Sequence, residues 1–142
     1  MSDIKMTSTW TGDFKGQGKI EGEGWSVEIG IPADLGGSGV GANPKELFTS
    51  ATLACFTATL RAITANKKVP VETLSVDTSA KAENDVFEIK HVAHVVLVKG
   101  SSEADKLAAE KAIQTADKVC VVGNLAKKAG VTIDVVSDIR IA

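Results

Sequence analysis

The sequence predicts an α+β fold in a single domain over residues 1–142, with the element order β-β-β-α-β-β-α-β. Apolar and polar residues alternate in five segments, which is typical of half-buried strands, and a glycine-rich segment adds an edge strand. Two longer segments, rich in alanine, have the apolar spacing of helices instead. The first three strands follow one another too closely for parallel crossovers, so antiparallel pairing is expected. We therefore predict antiparallel sheets around a central helix.

The stretch from Asn43 to Ile63 is predicted to belong to this central helix, which should stop near Asn66-Lys67-Lys68 because Pro70 prevents its continuation. Asn43 can cap the first turn, Pro44 suits the first helical position, and Glu46 stands at the third position of a capping box. Apolar residues occur nearly all round the helix, so we expect it to be covered on more than one side. Cys55 lies at its middle.

Three strands are predicted before the central helix. The first follows the alternation from Ile4 to Trp10, and the third runs from Trp25 to Ile31. The glycine-rich residues 15–24 lie between them and are too poor in apolar side chains to be core. We expect a turn and an exposed edge strand there.

Two strands are predicted directly after the central helix. A strand over residues 74–77 and a long strand over residues 87–97 flank a polar turn at residues 82–85. From Val92 onward, the long strand is apolar on both faces. We expect both faces of this half of the strand to be covered. A dimer interface would cover the second face, so the pattern favours a homodimer.

A second helix is predicted to begin at residues 101–103, with acidic residues in its first turn. Its apolar stripe leads to Cys120. A short helical turn at residues 125–129 and a final amphipathic strand at residues 131–141 complete the chain. The apolar side of the second helix is predicted to consist of Ala104, Leu107, Ala108, Ala112 and Ala116.

Composition and charge exclude several classes of partner. The formal net charge is −2, with 16 basic and 18 acidic residues interspersed, so no basic stripe would attract nucleic acid. The N-terminus lacks an apolar run of signal-peptide length, and we expect no stretch of about 18 apolar residues that could span a membrane. The interpretation is a cytoplasmic protein. Its two cysteines are then expected to be reduced, which favours a redox or nucleophilic pair over a structural disulfide.

Two patterns could be mistaken for cofactor sites. Residues 37–42 superficially match the dinucleotide fingerprint, but the acidic residue expected ~20 positions later would fall inside the central helix. His91 and His94 are the only histidines. On a strand, their side chains lie on opposite faces, so they cannot ligate one ion. We expect neither a nucleotide nor a metal, although His91 on the core-facing side could approach a cysteine.

Three motifs stand out along the chain: Asn43-Pro-Lys-Glu-Leu-Phe, Ala54-Cys55-Phe and Ala116-Asp-Lys-Val-Cys120. Together with Trp10-Thr-Gly-Asp-Phe-Lys15 near the start, they resemble the OsmC/Ohr family of organic-hydroperoxide and osmotic-stress proteins. The resemblance covers nearly the whole chain. It implies an intertwined homodimer with half-barrel-like sheets around central helices and two cysteine sites at the subunit interface. It also implies a thiol-dependent peroxidase without metal or haem.

Peroxide reduction needs only two thiols. A thiolate attacks one peroxide oxygen and becomes a sulfenic acid, which a second thiol converts to a disulfide. The resemblance implies that Cys55 attacks, that Cys120 resolves, and that a dithiol such as a dihydrolipoyl group is the reductant. A free cysteine, with a pKa of ~8.5, is only a few per cent thiolate at pH 7, so the attacking sulfur needs a positive charge beside it. The family pattern supplies an arginine from the N-terminal sheet and a glutamate that orients it.

This chain departs from the family pattern at both positions. Lys45 occupies the place of the family's glutamate, with Glu46 next to it, and the only arginines, Arg61 and Arg140, lie outside the N-terminal strands. We predict that Glu46 and Lys15 assist the attacking thiol. Glu46 could instead serve only in the capping box, and Lys45 could supply the charge. The alternative function is a family member without peroxidase activity that binds an apolar small molecule at the dimer interface.

Overall fold

Residues 3–142, which this computed structural model describes, form two three-stranded sheets and three α-helices. The chain divides into an N-terminal unit that ends at Phe48 and a C-terminal unit that begins at Thr49. These elements confirm the predicted α+β class. They are β1 (Thr7–Thr11), β2 (Gln17–Gly22), β3 (Trp25–Ile29), a short 3-10 helix (Ala33–Leu35), α1 (Pro44–Asn66), β4 (Val71–Glu83), β5 (Val86–Leu97), α2 (Glu103–Val119), α3 (Val121–Lys128) and β6 (Thr132–Ile141).

The N-terminal unit contains the predicted antiparallel meander of β1, β2 and β3. β1 is exposed along its whole length, and Gly18 and Gly30 are the only buried residues among those described in this unit. Trp10 and Trp25 remain 41% and 48% exposed. The N-terminal unit by itself therefore buries almost no apolar surface on this sheet.

Helix α1 begins as predicted. The Asn43 side-chain oxygen accepts the Glu46 backbone N–H at 2.9 Å, and the Glu46 carboxylate accepts the Asn43 backbone N–H at 3.1 Å. This reciprocal pair is a capping box. The helix ends at Asn66, close to the basic residues and Pro70 that predict its end. Its buried residues recur every four positions and form one ridge: Thr52, Phe56, Leu60 and Thr64.

Helix α1 is long and mostly apolar, as the sequence predicts. By length and composition, α1 is the one helix in the described part of the chain that could cross a membrane, with a mean hydropathy of 1.2. The expectation that no stretch reaches this length and hydropathy is thus wrong. Only 22% of the apolar window is buried within the chain. A core helix of a soluble protein also has such a composition, so the observation does not by itself place the chain in a membrane.

The C-terminal sheet has the order β4-β5-β6. Strands β4 and β5 form the predicted hairpin, and Asn84 at its turn adopts a positive φ of 55°. Strand β6 pairs with β5 in parallel. The prediction of antiparallel sheets is therefore wrong for this pair. Because α2 and α3 carry the chain back along the sheet, β6 enters from the same end as β5.

The helices between β5 and β6 also differ from the predicted single helix and short turn. Helix α2 begins at the predicted place, with a capping box between Ser102 and Asp105. Leu107 is 71% exposed, so the predicted apolar stripe is wrong there. Helix α3 begins at Val121 rather than at residue 125 because Cys120 caps its first turn. The buried face of α2 consists of Ala109, Ala112, Ile113 and Ala116.

The core lies in the C-terminal unit. One face of β5 is buried at alternate positions, as the sequence predicts, and the buried sides of α1 and α2 pack in the same cluster. Cys55 packs against this cluster at its edge. The members of the cluster include Phe56, Leu60, Ala93, Val95, Leu97, Ala109, Ala112, Ile113, Ala116 and Cys120.

Candidate thiol site

The two cysteines meet in the C-terminal unit. Cys55 is half-buried on α1, and Cys120 is buried at the bend between α2 and α3. Both are free thiols, and a hydrogen bond joins their side chains. The structure thus brings together, within one chain, the two thiols that the sequence singles out.

Groups from two helices surround the sulfur of Cys55. The backbone N–H groups of Val121 and Val122 donate to it from the start of α3, and the Thr59 hydroxyl donates from the next turn of α1. The first N–H groups of a helix have no partner within the helix and lie at the positive end of its dipole. Burial raises the pKa of the Cys55 thiol, but the hydrogen bonds from Cys120 and from these three donors outweigh it, so the pKa is lowered.

Cys120 has the opposite electrostatic environment. Burial, followed by the hydrogen bond with Cys55 and the charge of Cys55, raises the pKa of the Cys120 thiol to about 11. The Gly123 backbone N–H, which donates to the Cys120 sulfur at 3.4 Å, and the Lys127 charge lower the pKa only in part. Cys55 therefore loses its proton first, while Cys120 keeps its S–H and donates it to the neighbouring thiolate.

The other two predicted site residues belong to the N-terminal unit. The Glu46 carboxylate takes part in the capping box of α1. Lys15 lies in the exposed turn between β1 and β2, where its backbone N–H donates to the Asp13 carboxylate at 3.0 Å. Their assistance to the attacking thiol stays a prediction.

The histidines lie on opposite faces of the C-terminal sheet, as predicted. His91 is buried, and its Nδ1 lies 2.7 Å from the Thr78 hydroxyl. His94 lies between two carboxylates, 2.7 Å from Asp138 and 2.9 Å from Asp77. Hydrogen bonds to these carboxylates raise the pKa of His94. Both side chains therefore have partners that account for their positions.

Sequence reasoning missed the donors around Cys55. Backbone N–H groups such as those of Val121 and Val122 have no side-chain signature. The start of α3 also lacked a sequence signal, because Cys120, which accepts the Gly123 N–H, is not one of the usual capping residues. The sequence predicted only a short helical turn at residues 125–129 and so missed that start.

Comparison with known proteins gives a consistent result. Residues 36–136 match the family model described as OsmC-like protein. The uncharacterized protein YmaD of Bacillus subtilis is 28% identical over 122 residues, which cover 82% of this chain and 81% of that protein. An OsmC-like protein from Mycoplasma pneumoniae has a similar crystal structure, with a TM-score of 0.73, 14% identity and 97% coverage of each chain. The organic hydroperoxide resistance protein OsmC from Legionella pneumophila is also similar, with a TM-score of 0.66, 20% identity, and coverage of 97% of this chain and 99% of that one.

Proposed function

This chain belongs to the OsmC-like protein family, and on that premise we propose that it is a thiol-dependent peroxidase that reduces organic hydroperoxides to alcohols in oxidative stress defence. The observation that carries the proposal is the contact between two free thiols of unequal acidity. The pKa of Cys55 is lowered by its hydrogen bonds despite burial, whereas burial raises that of Cys120. The name of the Legionella protein, an organic hydroperoxide resistance protein, supports this substrate class.

In the first step, the Cys55 thiolate attacks the terminal oxygen of the hydroperoxide. The O–O bond breaks, the sulfur becomes a sulfenic acid, and the departing alkoxide takes up a proton to give the alcohol. The N–H groups at the start of α3 stabilise the thiolate before the attack. They do part of the work that the family pattern assigns to an arginine.

In the second step, Cys120 resolves the sulfenic acid. Oxidation removes the negative charge of Cys55, which is one of the causes of the raised pKa of Cys120. Cys120 can then lose its proton and attack the Cys55 sulfur, forming the S–S bond as the S–O bond breaks. The leaving hydroxide and the proton form water. A dithiol reductant such as a dihydrolipoyl group would reopen the disulfide by two thiol exchanges.

Glu46 and Lys15 remain the proposed assisting residues of the first step. Glu46→Gln keeps a side-chain acceptor for the capping box, and Lys15→Met keeps most of the length of the side chain without its charge. If the Glu46 carboxylate or the Lys15 ammonium assists the thiol, the corresponding variant will react more slowly with hydroperoxide at pH 7. Rates equal to that of the parent protein would restrict Glu46 to capping and remove Lys15 from the site.

The proposed functional form is a homodimer. The small residues Ala51, Ala54, Ala58 and Ala62 are exposed along α1, and small side chains allow a second helix to approach closely. The strands of the N-terminal sheet also bury little surface within their own unit. A second copy of the chain would bury both surfaces. Sedimentation that finds a stable monomer at low micromolar concentration would contradict this.

A single addition of peroxide tests the function. Reduced protein receives one equivalent of cumene hydroperoxide, without any other reductant, and the thiols are counted by mass spectrometry. We expect both thiols to disappear and one disulfide between Cys55 and Cys120 to form within the chain. A protein that keeps both thiols while hydroperoxide remains would rule out the proposal.

A further inference from the structure

Two side chains of α3 bind the carboxyl-terminal end of α2. The Lys127 ammonium lies 2.8 Å from the Asp117 carboxylate and 3.3 Å from the Asp117 carbonyl oxygen. The Asn124 side-chain amide donates to the Lys118 carbonyl at 2.8 Å. Because the last carbonyls of a helix lack partners within it, these contacts cap α2 and fix the direction of α3. Cys120 lies at the bend that they hold.

Lys127 also acts on the Cys120 thiol by its charge. Lys127 and Asp117 are each only 33% exposed at the side chain, so solvent screens their charges incompletely. Asp117 precedes Cys120 by less than one helical turn, which places the ammonium close to the bend. Burial and Cys55 raise the pKa of the Cys120 thiol, and Lys127 opposes them.

The groups that influence this thiol come from several elements. Cys55 of α1 and Lys127 of α3 act on Cys120 directly. Asp117 of α2 pairs with Lys127, and His91 of β5 interacts with both members of that pair. Lys127 is thus the cation in the described part of the chain whose charge favours the Cys120 thiolate.

We propose that Lys127 is a positioning residue for the resolving step, in which its ammonium holds the α2–α3 bend and stabilises the Cys120 thiolate as it attacks oxidised Cys55. The inference rests on the proposed peroxidase function. In this step Cys120 gives up a proton, its sulfur bonds to that of Cys55, and the S–O bond of the sulfenic acid breaks. The hydroxide that leaves accepts the proton as water. The oxidising equivalent comes from the organic hydroperoxide.

Substitutions at one position separate the charge from the hydrogen bond. Lys127→Gln retains an N–H donor for Asp117 but has no charge. Lys127→Arg retains both and should rescue the function. Lys128→Gln removes the charge of a neighbouring exposed lysine on α3 and is the matched control.

Two measurements test the inference. In the first, the alkylation rate of Cys120 is followed against pH in a Cys55→Ala background. In the second, proteins that retain Cys55 receive one equivalent of cumene hydroperoxide, and the Cys55 sulfenic acid is trapped with dimedone. In Lys127→Gln, we expect Cys120 alkylation at a given pH below its midpoint to fall by about threefold, as for one partly screened ion-pairing charge. The dimedone adduct of Cys55 should increase in proportion. Lys127→Arg and Lys128→Gln should behave like their parents.

Two results would overturn the inference while leaving the peroxidase proposal intact. One is a Lys127→Gln protein that forms the disulfide as fast as its parent. The other is slower disulfide formation with an unshifted pH curve for Cys120, which would make Lys127 a structural contact only. If the parent protein forms neither the dimedone adduct nor the disulfide, the peroxidase proposal itself is wrong. The role of Lys127 in the resolving step is then wrong as well.

Discussion

The surroundings of Cys55 and Cys120 differ although the two thiols are in contact. Cys55 faces the start of α3 from another helix. Burial raises its pKa, but hydrogen bonds from Cys120, from two backbone N–H groups and from the Thr59 hydroxyl together outweigh that effect. Cys120 is the residue that caps α3, and burial together with Cys55 raises its pKa to about 11. The pKa of a cysteine is thus lowered on one side of this helix start and raised on the other. Burial, the partner thiol and the nearby donors together produce this difference in acidity.

The largest effect is expected from Cys55→Ser. A serine hydroxyl does not ionise near neutral pH and is not oxidised by hydroperoxides, so consumption should fall to the uncatalysed rate. The rate of cumene hydroperoxide loss in the presence of dihydrolipoamide measures this. If Cys55→Ser consumed hydroperoxide as fast as the parent, Cys55 would not be the attacking thiol.

Cys120→Ser should have a smaller effect because it leaves the attack intact. Without added reductant, we expect the variant to consume one equivalent of hydroperoxide and then stop with Cys55 as a sulfenic acid. Dimedone labelling and peptide mass spectrometry identify the modified residue. Absence of a Cys55 adduct, with hydroperoxide still consumed, would assign the oxidation to another group.

The elements that the sequence predicts well depend on local rules. The capping box of Asn43 and Glu46 places the start of α1, and the alternation along residues 87–97 identifies the buried face of β5. The pairing of Cys55 with Cys120 came from the family resemblance rather than from local pattern. The spacing of the motifs was enough to identify the two cysteines, because both lie in the region that matches the OsmC-like family model.

The features that the sequence did not reveal depend on long-range geometry. The parallel pairing of β6 follows from the path of α2 and α3, which strand alternation does not encode. The donors to Cys55 are backbone groups of Val121 and Val122, whose side chains give no hint of this role. Alternation predicts a strand but not the surface that packs against it. The exposure of the N-terminal strands could therefore not be predicted from their sequence.

The influence of each thiol on the pKa of the other can be measured by replacing the two cysteines one at a time. Cys55→Ala should lower the pKa of Cys120, since burial remains but the hydrogen bond and charge of Cys55 are lost. Cys120→Ala should raise the pKa of Cys55, since it removes a hydrogen bond that lowers that pKa. Alkylation rates against pH should therefore move in opposite directions in the two variants. Curves that stay in place in both variants would show that burial, rather than the partner thiol, dominates both, and curves that move in the same direction would contradict the prediction.

The smallest effect is expected from Thr59→Val, which removes a single hydroxyl that donates to Cys55. The pKa of Cys55 should rise, because the thiolate loses one of its donors while the burial of the sulfur stays the same. One hydrogen bond contributes about 0.5–1 kcal/mol, so Cys55 alkylation at pH 7 should slow by a factor of roughly 2 to 5. Thr57→Val makes the same chemical change on a neighbouring position of α1 and serves as the control.

The outcome divides the stabilisation of the thiolate between the two helices. A slower Thr59→Val with an unchanged Thr57→Val would mean that the α1 hydroxyl and the α3 N–H groups share the stabilisation. If both variants match the parent, the hydroxyl contributes nothing measurable. The backbone of α3 would then be the main source of the lowered pKa of Cys55 apart from its contact with Cys120, because Val121 and Val122 donate to the same sulfur.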